Sequence, residues 1–229
     1  LSPWFLYFCS HMKIAVIGQP LQLNSFDKLN LSSSYELVQD TANLKNYDVF
    51  IDLDFDNSDR TILDYADCTD TWILLNTVKS QLEDEFASVG ASYNGEKIIG
   101  INAIPTFLER STLEYCNPFK IDLNKFPHAS LGWETMELVD SRVGMITPRI
   151  IFMIINEAYF TVQEGTATKA DIDTAMKLGT AYPMGPFEWC ERAGLENVYE
   201  TLEAIYEDTK EERYKICPLL KTEYLRSMI

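Results

Sequence analysis

Few residues of this chain are equipped for acid–base work near neutral pH. Imidazole is the side chain whose ordinary pKa lies there, and the sequence holds two histidines, His11 and His128. His11 falls within residues 1–11, where Leu6-Tyr7-Phe8 and Ser10-His11-Met12 resemble a protease-site and cloning scar. That segment is read as an expression-tag remnant and set aside. His128 sits in Phe126-Pro127-His128-Ala129, the composition of a connector, and reads as a surface histidine. No G-x-S-x-G, H-E-x-x-H or P-loop pattern occurs. Cys68, Cys116, Cys190 and Cys217 are widely spaced with no C-x-x-C. They predict buried thiols of a reducing, cytoplasmic compartment and no metal site.

One loop has the placement of a phosphate cradle. Met12-Lys13-Ile14-Ala15-Val16-Ile17-Gly18 is a β-branched run ending in glycine, followed by Gln19-Pro20-Leu21-Gln22-Leu23. A dinucleotide fingerprint, G-x-G-x-x-G, needs its first glycine for the turn, its second for approach of the pyrophosphate and its third for helix packing. Only Gly18 is present. Pro20 puts a ring where backbone should meet phosphate and removes an N–H donor, and Leu23 crowds the helix contact. Asp40 lies 22 residues after Gly18, where a ribose-binding acid would sit, although a lone loop aspartate is usually just a solvated one. The loop therefore predicts no ordinary NAD binding.

Charge points the same way. The net charge of −16 excludes nucleic acid as a partner, since that needs a positive surface. Residues 12–140 carry 9 basic and 21 acidic groups, a net of −12. Seven aspartates lie between Asp52 and Asp70 with only Arg60 to offset them. Such a run reads first as a solvated acidic face, and second as a field that repels a dinucleotide. No apolar run approaches the roughly 20 residues that span a bilayer, so no membrane span is expected.

The elements that must position these groups fall into two sets. Strand candidates are Met12–Ile17, Tyr35–Val38, Asp48–Leu53, Trp72–Leu75, Lys97–Ile101 and Glu134–Val139. Helical or loop segments such as Ser58–Ala66 and Lys79–Val89 separate several of them. This alternation predicts a mostly parallel, Rossmann-like α/β sheet over residues 12–140. Residues 141–229 read as all-α. Thr147 is the expected N-cap and Pro148 the first helical residue of a long helix reaching about Gln163, apolar nearly all round and so buried. Helices follow near 169–178, 186–193, 196–210 and 218–228. Thr168 and Asp171 make a capping-box start, Gly179 the expected stop, and Pro183, Gly185 and Pro186 a rigid turn.

Asp171-Ile172-Asp173-Thr174-Ala175-Met176, running into Gly179-Thr180-Ala181-Tyr182-Pro183-Met184-Gly185-Pro186-Phe187-Glu188, resembles the helical substrate and dimerisation domain of 3-hydroxyacyl-CoA dehydrogenases. There D-I-D-x-A-M leads into G-x-x-x-P-M-G-P-F-E. The resemblance covers about residues 140–220 and is faint before them. It implies NAD as cofactor, an acyl-CoA ligand and a homodimer formed through the helical half.

It also implies a constellation: a histidine in G-x-H-F-F-N-P as acid/base, a glutamate twelve residues later that orients it, and an asparagine in G-F-x-x-N-R that binds the reacting oxygen. The matching segment here is Gly100-Ile101-Asn102-Ala103-Ile104-Pro105, with Asn102 at the histidine's position. Glu114 takes the orienting acid's place, and Pro148 stands where the asparagine belongs. An amide can hydrogen-bond a carbonyl but cannot take up a proton at neutral pH. The expectation is a relative of these enzymes that has left hydride chemistry; the alternative is a divergent active dehydrogenase in which Glu114 serves as base.

Overall fold

The computed structural model describes residues 12–65, 68–90, 95–119, 121, 123 and 126–229. The tag-like segment 1–11 lies outside them. The chain divides into two compact units, one ending at Arg142 and one spanning Val143–Ile229.

The first unit is a seven-stranded sheet in the order β2-β1-β3-β4-β5-β6-β7. Its strands are β1 (Ile14–Ile17), β2 (Tyr35–Leu37), β3 (Val49–Asp52), β4 (Trp72–Asn76), β5 (Ile98–Ile101), β6 (Thr112–Cys116) and β7 (Thr135–Leu138). Every neighbouring pair is parallel except β5–β6. All residues of β1, β3 and β5 are buried, as the mostly apolar runs of a parallel sheet covered on both faces are. The register sets Val16 opposite Ile51, and Ile51 opposite Leu74. Below them, Phe26 and Trp133 join the same core, and the Trp133 indole N–H donates to the Leu108 carbonyl at 3.1 Å.

Strand order reverses beside β1. The chain runs outward to β2 and then returns to the other flank as β3, which opens a crevice at the carboxyl ends of β1 and β3. Short helix α1 (Pro20–Phe26) follows β1, and α2 (Leu82–Val89) follows β4. Two expectations need correction. β6 was not among the strand candidates, yet it lies inside the sheet between β5 and β7. The acidic run is not simply a solvated face: Asp52 has no exposed surface and Asp54 is 7% exposed.

The second unit holds α3 (Thr147–Gln163), α4 (Lys169–Thr180), α5 (Pro186–Ala193), α6 (Leu195–Thr209) and α7 (Pro218–Ser227). Thr147 is not the cap of α3 but its first residue; Ile146 precedes it as N-cap. Nor is α3 buried all round. Phe152, Ile155 and Tyr159 are interior, whereas Ile150 is 55% exposed. The Asn156 amide ties this helix to the approach of α7, donating to the Lys215 carbonyl and accepting from the Cys217 N–H, both at 2.9 Å.

The α4 capping box forms as expected, with Thr168 accepting from the Asp171 N–H. Gly179 does not stop the helix. It is the last but one helical residue, and Ala181 takes the left-handed position at φ 56°. The turn into α5 is stapled from α4: Asp173 accepts from the Phe187 N–H at 2.8 Å, and Lys177 pairs with Glu188. Glu188 in turn accepts from the Gly185 N–H at 2.9 Å. Gly185 is obligatory because a Cβ there would collide with the Asp173 carboxylate. The motif is thus a packing device, which accounts for its residue types without any chemistry.

Candidate active site

Asn102 and Glu114 are brought together. β5 ends at Ile101 and β6 passes antiparallel beside it, so the Asn102 N–H donates to the Glu114 carbonyl at 3.1 Å. The Asn102 side-chain amide then donates to the Glu114 carboxylate at 3.4 Å. Both residues are interior, 2% and 8% exposed, and Glu114 lies on β6, inside the sheet between β5 and β7. The Asn102 side-chain oxygen is also engaged, accepting from the Ile104 N–H at 3.3 Å. One residue along, the Ala103 N–H donates to the Asn76 side chain at 3.0 Å.

These bonds define what the pair can do. The Asn102 amide is held from two directions and offers hydrogen bonding but no proton exchange. Gly100 makes the close approach possible, since a Cβ there would lie 2.6 Å from the Cys116 sulfur and collide with the Thr77 hydroxyl. Burial pushes the Cys116 thiol up to about 11, so it is no thiolate nucleophile at neutral pH. Beyond the pair the backbone is strained: buried Thr106, a β-branched residue, sits at φ 74° with its N–H donating to the Ser25 hydroxyl at 3.1 Å. His128 is half-buried, with Nδ1 3.3 Å from the Phe126 carbonyl oxygen.

The nucleotide loop is spent on its own chain. Pro20 is the first residue of α1, where its missing N–H costs the helix nothing. The Gln22 side chain accepts from the Gln19 N–H at 2.9 Å, and its amide donates to the Leu53 carbonyl. The Gln19 side chain donates to Asp54 at 2.8 Å. Gly18 packs closely on Leu53, which a Cβ would meet at 3.1 Å. Asp40 is exposed beyond the end of β2 and caps its own turn, accepting from the Ala42 N–H at 3.0 Å. A pyrophosphate needs free backbone donors and a close glycine approach. These residues do not fit a dinucleotide bound in the ordinary way.

Sequence reasoning missed what the aspartates do. Asp52 accepts both Arg60 nitrogens, at 2.5 and 2.9 Å, and the Tyr65 hydroxyl at 2.6 Å. Burial works against the Arg60 charge, but the Asp52 bond and field outweigh it and hold the guanidinium above its usual value. Burial first, and then the Asp52 charge, push the Tyr65 phenol far up. Asp56 accepts from the Val78 and Lys79 N–H groups at 2.6 and 2.9 Å. The available signal was the alternation Asp52-Leu53-Asp54-Phe55-Asp56. Leu53 and Phe55 are core residues, so the carboxylates interleaved with them in the turn that follows β3 are held close to the core.

In the second unit, Gly144 stands at φ 81° and Ile205 lies against it, 2.5 Å from where a Cβ would be, so both the backbone angle and the contact favour glycine. Arg149 donates to the Tyr214 hydroxyl at 3.0 Å and to the Val143 carbonyl. Pro148 is buried at the start of α3 and offers no polar side-chain group.

A Rossmann-like sheet unit followed by an all-α unit sets the class, and comparison with known proteins narrows it. Residues 144–226 match the family model of the 3-hydroxyacyl-CoA dehydrogenase C-terminal domain. Over 78 residues the chain is 45% identical to 3-hydroxyadipyl-CoA dehydrogenase of Escherichia coli, a match covering 34% of this chain and 16% of that protein. Similarity to 3-hydroxybutyryl-CoA dehydrogenase of Clostridioides difficile is lower, 26%, but extends over 91% of this chain and 75% of the relative. The crystal structure of M. tuberculosis FadB2 shares the fold with a TM-score of 0.71 at 15% identity, covering 94% of each chain. The match to the 3-hydroxyacyl-CoA dehydrogenase C-terminal domain lies in the helical unit, and the matched stretch spans about a quarter or less of the length of the first of these relatives, 16% of the one from Escherichia coli.

Proposed function

We propose that this chain is a non-catalytic member of the family, retained as a dimer-forming module that takes an acyl-CoA or a protein partner and does not transfer hydride. The observation that carries this reading is Asn102. Hydride removal from a secondary alcohol needs a proton acceptor of near-neutral pKa, and the position matching the family's histidine holds an amide fixed between Glu114 and Ile104. The loop supports the same reading, because the Gln19 N–H and the Gln19 side-chain amide are both engaged within the chain. Homodimerisation through residues beyond Asp140 belongs to this proposal, as does a cytoplasmic location.

The test is an NADH titration followed by fluorescence, with acetoacetyl-CoA reduction assayed alongside. The expected outcome is no saturation below roughly millimolar NADH and negligible turnover. Asn102→His alone should not restore activity, because the loop stays closed. Robust NADH-dependent reduction by the unaltered chain would overturn the reading in favour of Glu114 as base, which its burial beside Asn102 makes the specific alternative.

A further inference from the structure

The loops that follow β1, β3 and β4 are tied together by one short segment, Leu53–Asn57. Its attachments to the first loop are Leu53 and Asp54. The Leu53 N–H donates to the Ile17 carbonyl at 2.9 Å, the Leu53 carbonyl accepts from Gln22, and its side chain fills the space beside Gly18. Asp54 accepts from the Gln19 side chain at 2.8 Å and from the Asn57 side chain at 3.0 Å. Its attachment to the third loop is Asp56, which accepts from two successive N–H groups, Val78 and Lys79, and lies 3.2 Å from the Ser80 hydroxyl as its acceptor. Lys79 reaches back to the Asn57 side chain at 2.6 Å. The segment is anchored from behind by Asp52, whose partners are Arg60 and Tyr65.

The bonds of Leu53 and Asp54 lie at the reversal of strand order, where open parallel sheets take their ligands, and those of Asp56 lie beside it, just past the carboxyl end of β4. Backbone N–H groups in such a place ordinarily face an anion. Here the carboxylate of Asp56 is that anion, and the amides of Gln19 and Gln22 answer the remaining polar groups. We propose that Leu53–Asn57 is an internal latch that occupies the crevice of the sheet, so that the chain serves as its own ligand and a dinucleotide is excluded by occupation. This deepens the functional reading above and rests on it, since it names what stands in the cofactor's place.

Hydrogen–deuterium exchange of the full chain, read by NMR at the Gln19, Val78 and Lys79 amides, tests the latch directly. With no nucleotide present these three should exchange on the order of 100-fold more slowly than free peptide amides, as closed structure rather than open loop. Millimolar NADH should leave them unchanged. Asp56→Ala should release Val78 and Lys79 while the strand amides of Ile51 and Leu74 stay protected, which confirms that the fold persists. Free exchange of the three amides in the unaltered chain would overturn the latch, as would their slowing when NADH is added. The two failures are distinguishable: open amides without NADH turnover sink the latch and leave the functional reading standing, whereas NADH-dependent turnover sinks both, since a bound dinucleotide contradicts its exclusion.

Discussion

At Asp52 a carboxylate with no exposed surface meets Arg60 through two nitrogens and Tyr65 through its hydroxyl. A buried pair is not in itself a large source of stability, because desolvation offsets most of its attraction, but removing one partner strands the other charge. Arg60→Ala should therefore destabilise the fold by about 3–5 kcal/mol, measured by urea unfolding, whereas Arg110→Ala, outside this network, should cost far less. Asp56 behaves differently. Burial pushes its carboxyl from 3.8 to about 7, against the downward pull of the Lys79 and Val78 donors and the Lys79 charge. A raised folded-state pKa means that this group's contribution is fully present below its unfolded value and is lost as pH rises through about 7. Asp56→Asn should remove that slope, so its stability relative to the unaltered chain should rise between pH 5 and pH 8. A difference that stays constant across that range would refute the assignment.

Among the elements, the α4–α5 staple gives the sharpest prediction. Gly185→Ala forces a methyl group onto the Asp173 carboxylate and pulls it off the Phe187 N–H. The expected cost is about 1–3 kcal/mol, in the range of overpacking, read as a lowered thermal midpoint of the helical unit. Asp173→Ala in the same background should recover little of that loss, because the Asp173 Cβ itself would lie 2.4 Å from the new methyl group, and full recovery would confine the strain to the carboxylate. This part of the fold was legible because local rules and packing agree: Thr168 and Asp171 cap, and Pro186 opens a helix. The sheet strands were legible for the same reason, as apolar runs ending in turn residues. β6 was not, because Thr112-Leu113-Glu114-Tyr115-Cys116 mixes polar and apolar residues and its burial comes from pairing on both sides. Asn102 and Glu114 were found through a resemblance, and their contact was not readable from a spacing of twelve. The latch stayed hidden because its partners are distant in sequence, with Gln19 35 residues from Asp54.

For the molecule as a whole, the open question is what covers the apolar surface of the helical unit. Helix α4 has no buried residue, and on it Leu178 is 83% exposed. Ile146 and Ile150 are 50% and 55% exposed at the start of α3. A single exposed leucine is ordinary, but the packed face of this twelve-residue helix, with Ile172 and Met176 on it, is only half-buried, which leaves apolar side chain for a further partner to cover. A second copy meeting this surface about a two-fold axis would cover it. Leu178→Glu and Ile150→Glu should each shift the chain toward monomer in light scattering at micromolar concentration, with the folded signal retained. Ile155→Glu is the contrasting variant. Ile155 has no exposed surface, so its replacement should unfold the helical unit rather than separate copies. A monomeric mass for the unaltered chain would defeat the dimer, and a dimer indifferent to both surface changes would move the contact off α4 and the start of α3.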